Sequence, residues 1–336
     1  MKAMTARHYG SPDVLTLETL PRPKPKPGEM LVKVAASSIT AADWRTRSAD
    51  FPGGFALIGR LMFGLFRPRR PVLGMEFAGV VEAVGEKVTA FRPGQRVFGM
   101  ASAGAHAEYL VIDAKGCIAP TPDTLSDQQA AALPFGTLSA LVFFRDLAKL
   151  KPGERVAIIG ASGGVGTYAV QIAKALGAEV TAVAGPDSQR FLASLGADDC
   201  VDYTVTDVSA GPARFDIVFD TVGALRFRDA RRMLRKGGRF VPLNFSLCDV
   251  LLGLLRGIAP RAKDAPRQVL AVNSDRQEDL QDIARMVERG QITPRIDRIW
   301  PLEHLADAYT YVEGRHRRGS VVISVQDLDR AERTAM

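Results

Sequence analysis

A seven-residue segment, Gly160-Ala161-Ser162-Gly163-Gly164-Val165-Gly166, lies between an aliphatic run at 156–159 and an amphipathic stretch at 165–176. Glycines clustered where a strand runs into a helix leave few architectures open, because they serve a tight turn and a close approach to the backbone. The helix that follows presents unpaired N–H donors at the positive end of its dipole, a setting suited to a pyrophosphate. Against the dinucleotide spacing G-x-G-x-x-G the chain offers Ala161-Ser162-Gly163-Gly164-Val165-Gly166, with alanine in the first place and Gly160 just before it. A glycine pattern alone is weak evidence, and a purely structural turn is the alternative. The strand before it, the helix after it and the repeating pattern around it favour cofactor binding.

That repeating pattern begins after Lys151-Pro152-Gly153. Compact apolar runs at 156–159, 179–183, 217–219, 240–243 and 269–272 alternate with helical stretches at 165–176, 187–195 and 227–234. Fully apolar strands spaced by helices predict a parallel sheet covered on both faces, a doubly wound α/β domain. Residues 1–123 have another rhythm: extended runs at 30–34, 79–84 and 107–112, punctuated by Pro27-Gly28, Gly85 and Pro93-Gly94, predict a mostly antiparallel β domain. Ser126-Asp127-Gln128-Gln129 is set to cap a helix over 130–133, and Pro134 interrupts before a second helix at 138–147. Beyond Asn273, a helix at 278–289, an extended stretch at 296–300, a helix at 302–311 and a closing strand at 320–325 read as a return to the first domain. At 336 residues the chain exceeds what one core ordinarily supports. The expected organisation is a β-rich domain of 1–123 and 274–336 and a nucleotide-binding domain of 124–273.

The apolar run at 179–183 continues into Ala184-Gly185. An NAD-preferring site presents an Asp or Glu there to the ribose hydroxyls. Gly185 instead leaves room for the 2′-phosphate of NADPH, with Arg190 as its charge partner. Asp187 pulls the other way, and Arg190 has the alternative of a solvated helix residue. NADPH is expected over NADH.

Composition narrows the remaining classes. Apolar residues at 46% and charged residues at 24% describe an ordinary globular chain. A net charge of +7 suits an anionic partner or a merely solvated basic surface. The basic clusters, Arg67-Pro68-Arg69-Arg70, Arg231-Arg232, Arg235-Lys236 and Arg315-His316-Arg317-Arg318, are not interleaved with aromatics as in a nucleic-acid module, so nucleic acid is not the expected partner. Cys117, Cys200 and Cys248 form no CxxC, which argues against a disulfide framework and for a reducing, cytoplasmic compartment. No signal peptide is read at the N-terminus, and the most apolar stretch, Val250-Leu251-Leu252-Gly253-Leu254-Leu255, is too short for a membrane span.

Taken together, these segments resemble the medium-chain dehydrogenase/reductase superfamily, in its zinc-independent quinone oxidoreductase-like branch. The resemblance runs through Tyr9-Gly10-Ser11-Pro12-Asp13-Val14-Leu15, 74–85, 160–177, Leu195-Gly196-Ala197-Asp198 with Val201-Asp202-Tyr203, and 319–324. It implies a Rossmann domain with a GroES-like catalytic domain. It also implies that Ser162, Gly163, Gly164 and Val165 meet the pyrophosphate, that Tyr203 lies near the adenosine phosphate, and that Val222, Gly223, Leu243 and Asn244 line the sheet edge. Ser139, in Thr137-Leu138-Ser139-Ala140-Leu141, stands where relatives carry a threonine near the nicotinamide; a helix-facing hydroxyl is its structural alternative.

Zinc-dependent relatives take a metal ligand from Gly-His-Glu and hold a second zinc in a cysteine lobe. Here the segment reads Gly74-Met75-Glu76 and the lobe is missing, so no zinc is expected. His8, His106, His304 and His316 are scattered. The chain departs from its relatives at Thr40-Ala41-Ala42-Asp43, at Arg45 in place of a tyrosine, and at Gly319-Ser320 in place of Gly-Lys.

Without a metal to polarise an oxygen, hydride transfer is easier to an acceptor whose conjugation stabilises the product charge, an enone or a quinone. Catalysis then rests on positioning and electrostatics, with Thr40, Asp43 and Ser139 as the candidate polar groups and a structural role for Asp43 equally open. An alcohol dehydrogenase or carbonyl reductase, and a cofactor-binding regulatory or RNA-binding protein, are the competing readings. The apolar segments 51–66 and 245–258 suit a hydrophobic substrate entrance, a subunit contact in an expected homodimer, or buried structural helices.

Overall fold

The computed structural model describes residues 1–51, 53–258, 264–273, 275–314 and 317–326. Arg315 and His316 of the basic cluster lie outside them. Two compact units result, one of Met1–Phe51, Leu57–Phe135 and Asp275–Met336, the other of Pro52–Ala56 and Gly136–Ser274.

In the first unit β1 (Lys2–Ala6) and β2 (Leu15–Thr19) form an antiparallel ribbon. β3 (Glu29–Ser38) is the spine of the larger sheet, pairing antiparallel with β4 (Glu76–Val84), which pairs with β5 (Arg96–Met100). β6 (Tyr109–Asp113) pairs with the first half of β3, and β7 (Cys117–Pro120) closes on β5. Met30, Val32, Val34, Phe77, Val81 and Ile118 form the centre of its core. Each such fully buried side chain stabilises the fold by about 1.5–3 kcal/mol.

The second unit is a six-stranded parallel sheet of β8 (Arg155–Ile159), β9 (Glu179–Ala184), β10 (Asp199–Asp202), β11 (Phe215–Asp220), β12 (Leu234–Pro242) and β13 (Arg267–Gln268), in the order β10-β9-β8-β11-β12-β13. From β8 the chain builds outward to one side, then crosses and builds to the other. The carboxyl end of β8, where the glycine segment starts, is therefore the topological switch point of the sheet. The chain returns to the first unit with β14 (Ile296–Pro301) and β15 (Ser320–Ser324), the latter pairing with Ala36–Ser38 of β3.

The helices are α1 (Ala41–Ser48), α2 (Ala56–Phe63), α3 (Asp127–Ala131), α4 (Pro134–Val142), α5 (Gly166–Ala175), α6 (Gln189–Ser194), α7 (Phe227–Met233), α8 (Leu247–Ile258), α9 (Gln277–Glu288) and α10 (Leu305–Glu313). Among the described residues none is long and apolar enough to cross a membrane.

Three expectations about elements change. Pro134 opens α4 rather than interrupting it, because proline's missing N–H costs nothing in a first turn. That helix then widens into a π turn at Phe143–Leu147. The apolar run at 269–272 is not the last parallel strand: β13 is two residues long and ends at Gln268, and Val272 is 84% exposed. β10 was not expected, since Asp199-Cys200-Val201-Asp202 carries too little apolar signal.

Candidate functional site

The residues singled out around the glycine segment converge on one edge of the parallel sheet. Gly160 follows β8, Gly185 follows β9, Tyr203 follows β10, Val222 and Gly223 follow β11, and Leu243 and Asn244 follow β12. The register fixes these ends side by side, with Ile159 opposite both Val183 and Asp220, and Asp220 opposite Pro242. Gly160 has φ +74, and a Cβ there would lie 2.5 Å from Val222 Cγ1. A Cβ on Gly223 would lie 3.0 Å from Asn244 Cβ, and one on Gly185 3.7 Å from the Tyr203 hydroxyl.

The loop itself has two kinds of glycine. A Cβ on Gly166 would meet Gly160 O at 2.2 Å and Ala161 Cα at 2.6 Å, so this glycine is required for helix and strand to pack. A Cβ on Gly163 would meet nothing closer than Gly160 O at 3.5 Å, so the space over it is open. Among the described residues the N–H groups of Ser162, Gly164 and Val165 donate to no protein acceptor. No side chain caps α5, and its first turn holds no carboxylate. Free donors, an open glycine and an uncapped helix dipole together fit a pyrophosphate.

Arg190 is exposed and makes no ion pair among the described residues, and Tyr203 is 65% exposed. Ser139 is buried on α4. Asp220, which sequence reasoning missed, organises the neighbouring loop: Oδ1 accepts from the N–H groups of Val222 at 3.0 Å and Gly223 at 2.8 Å, and Oδ2 from that of Leu225 at 2.8 Å. Its signal was available, a single carboxylate ending the apolar run Ile217-Val218-Phe219.

The first unit brings Thr40 and Asp43 together in a different setting. Thr40 caps α1, its Oγ1 accepting from Asp43 N and donating to Asp43 Oδ2 at 2.6 Å, while Asp43 Oδ2 also accepts from Thr40 N at 2.8 Å. Both residues are buried. Burial pushes the Asp43 carboxyl up to about 6, against hydrogen bonds from Thr40 and from the backbone of Gly74 and Met75.

Beside it Glu76, at the start of β4, accepts from Ser38 Oγ and from Phe135 N. Burial pushes Glu76 up to about 7; the Ser38 and Phe135 bonds oppose the rise, the charge of Asp43 adds to it and that of Arg317 opposes it. Arg317 donates to Ile39 O at 3.2 Å. Farther along, Ser37, His106 and Tyr309 form a buried chain of hydrogen bonds of 2.9 and 3.2 Å, and burial holds His106 down at about 3. Glu76 was read only as part of a metal motif, although a carboxylate leading into Phe77-Ala78-Gly79-Val80-Val81 signals a buried charge.

Comparison with known proteins accounts for both units. Residues 26–123 match the alcohol dehydrogenase GroES-like domain and residues 195–323 the zinc-binding dehydrogenase family. A mitochondrial NAD(P)H oxidoreductase of Bos taurus is 32% identical, covering 97% of this chain and 89% of its own. The 2-methylene-furan-3-one reductase of Solanum lycopersicum is 30% identical over 96% of this chain and 79% of its own. The solved quinone oxidoreductase of Coxiella burnetii superposes with a TM-score of 0.84 at 28% identity, covering 97% of this chain and 99% of that one.

The zinc in one of those family names finds no donor set among the described residues. Met75 offers a thioether, both ring nitrogens of His106 are engaged, and the Cys117 thiol, pushed up to about 12 by burial, faces Arg276 O at 3.7 Å. Among the described residues no group of three or more His, Cys, Asp or Glu could hold a metal. The fold is the GroES-like and Rossmann pair, and the chain belongs to the medium-chain dehydrogenase/reductase superfamily, in its quinone oxidoreductase-like branch.

Proposed function

We propose that this chain is an NADPH-dependent reductase that delivers hydride to an activated carbon–carbon double bond, an enone or a quinone, without zinc. The observation that carries the reading is the sheet edge: free N–H donors over an open glycine, followed one strand away by Gly185 where a ribose-binding carboxylate would favour NADH. Gly185 has ordinary φ −72, so its lack of a carboxylate is a chemical choice and not a backbone requirement. The relatives named as NAD(P)H oxidoreductase, furanone reductase and quinone oxidoreductase support the reaction class.

Ser162, Gly163, Gly164 and Val165 hold the pyrophosphate through the backbone. Arg190 receives the 2′-phosphate, and Tyr203 packs against the adenosine end. Val222, Gly223, Leu243 and Asn244 line the path towards the nicotinamide, with the loop held by Asp220. A reduced nicotinamide bound here supplies the hydride. Ser139 is the hydroxyl we place near the reacting end, while Thr40 and Asp43 act as positioning residues that shape the chain after β3. The acceptor is a small hydrophobic molecule. A cytoplasmic homodimer is the expected state, and the absence of disulfides among Cys117, Cys200 and Cys248 is compatible with that compartment.

Oxidation of NADPH is to be followed with a panel of quinones and enones and a second panel of ketones and aldehydes. Turnover is expected on the first panel only; turnover confined to the second, or stoichiometric zinc in the purified protein, would overturn the reading. Gly185→Asp sharpens it. The added carboxylate should weaken NADPH binding by at least about tenfold relative to NADH, since a charge-assisted contact is worth about 1.5–3 kcal/mol.

A further inference from the structure

The segment 51–66 is neither a buried helix nor an ordinary solvated one. Only Gly59 of α2 is buried, and a Cβ there would strike the Phe51 ring, against which Phe63 also stacks at 5.5 Å. The helix therefore rests on the unit through one narrow line. Leu57, Ile58, Leu61 and Met62 lie on its opposite side, 65, 46, 55 and 63% exposed, and Leu65 and Phe66 extend the patch at 43 and 84%. The turn beneath is firmly built: Tyr9 donates to Gly64 O at 2.6 Å, and Arg60 donates to Leu65 O at 3.2 Å. Its exposure belongs to an ordered element.

The charge carried by this stretch of the chain is of one sign. Arg60, Arg67, Arg69 and Arg70 fall between Phe51 and Met75, and that stretch contains no Asp, Glu or Lys. Arg67, Arg69 and Arg70 are exposed. A second copy placed on this face would set arginines against arginines. An anionic bilayer complements both features, offering hydrocarbon to the leucines, Met62 and Phe66 and headgroup phosphates to the arginines.

We propose that α2 and the turn after it dock the protein reversibly on anionic membrane surfaces. The apolar face enters the headgroup boundary while the arginines stay at phosphate level, so the protein lies on the membrane without spanning it. The docking is independent of the redox reading and would stand if that reading failed.

Co-sedimentation of the full chain with vesicles tests it. Vesicles of equal parts phosphatidylcholine and phosphatidylglycerol should pellet the protein, and pure phosphatidylcholine should pellet at least about tenfold less, since several arginines each contribute about fivefold near an anionic surface. Arg67→Gln and Arg69→Gln should each cost about fivefold, and added salt should act in the same direction. Leu61→Glu with Phe66→Glu should abolish binding while leaving the thermal melting temperature unchanged, because both side chains face solvent. No binding to mixed vesicles overturns the proposal, as does binding that the glutamate pair leaves intact. Sedimentation velocity separates the rivals: a wild-type dimer split by the glutamate pair, with no vesicle binding in either protein, would make the face a contact between copies.

Discussion

The two units concentrate their polar chemistry in opposite ways. At the edge of the parallel sheet the polar groups are backbone N–H donors and exposed side chains such as Arg190 and Tyr203, which among the described residues make no side-chain hydrogen bond or ion pair. In the first unit they are carboxyls buried at Asp43 and Glu76, with nearly every oxygen engaged by a hydroxyl or a peptide N–H. Unsatisfied donors cost little where water reaches them, whereas a buried carboxyl must be hydrogen-bonded or protonated. The first arrangement is suited to binding an anion. The second is suited to holding a backbone and, with values near neutrality, a proton.

The sharpest way to break this contrast is at the two glycines of one loop. Gly166→Val forces side-chain atoms into Gly160 O and Ala161 Cα, both backbone, so stability should fall by at least about 3 kcal/mol and dinucleotide binding should go with it. Gly163→Ala meets only ordinary contact, so the melting temperature should hardly move while NADPH affinity drops by about tenfold or more, the methyl occupying space the pyrophosphate needs. Thermal unfolding beside fluorescence titration reads both. Equal loss of stability in the two variants would mean that the open space over Gly163 is structural after all.

A second test addresses the buried carboxyls through pH. Burial raises Glu76 from 4.5 to about 7, so the native state keeps a proton that the unfolded chain releases over that interval. Stability from this group is complete below about 4.5 and is lost as pH rises to about 7, a span of roughly 3 kcal/mol. Asp43 acts in the same direction from 3.8 to about 6. His106, lowered from 6.5 to about 3, acts oppositely, its contribution vanishing as pH falls through that range. Glu76→Gln removes the titrating carboxyl at this position and retains an acceptor for Phe135 N. Urea unfolding at about pH 5 and about pH 8 should therefore show the variant gaining on the wild type by up to about 3 kcal/mol at the higher pH. A difference that stays flat would place a charged Glu76 in the fold, balanced by Arg317, and NADPH affinity should not change in either case.

These contrasts also explain what could be read in advance. The parallel sheet was legible because its signals are local: β8 and α5 sit beside the glycine segment, and each candidate ligand-binding residue ends an apolar run or follows one by a few positions. Failure at 269–272 has the same origin, since an apolar run without helices on both sides need not be covered, and Val272 is left in solvent. The carboxyl cluster was hardly legible, because Ser38, Asp43, Glu76 and Arg317 meet only through the pairing of β3 with β4 and β15. Thr40 and Asp43 stand out in the sequence for their polarity, yet their spacing is also that of a helix cap, and the structure uses it as one. The exposed face of α2 was misjudged in one of its three readings because periodicity reports an apolar stripe without reporting what covers it.

The smallest effect concerns that cap. Thr40→Ala removes the hydroxyl that accepts from Asp43 N and donates to Asp43 Oδ2, but leaves the Thr40 peptide N–H in place for the carboxyl. Loss of an N-cap costs about 1 kcal/mol, within a range of 0.5–2. One of the bonds opposing the rise in Asp43 also disappears, so its value should move further up and its pH dependence of stability should extend above about 6. As a positioning residue Thr40 should affect kcat and KM modestly, by less than about tenfold, and Thr40→Ser, which keeps the hydroxyl, should restore both. A fall in kcat beyond about a hundredfold, with KM and the melting temperature unchanged, would mean that the hydroxyl interacts with the reacting atoms themselves. The buried chemistry of the first unit would then be catalytic in its own right.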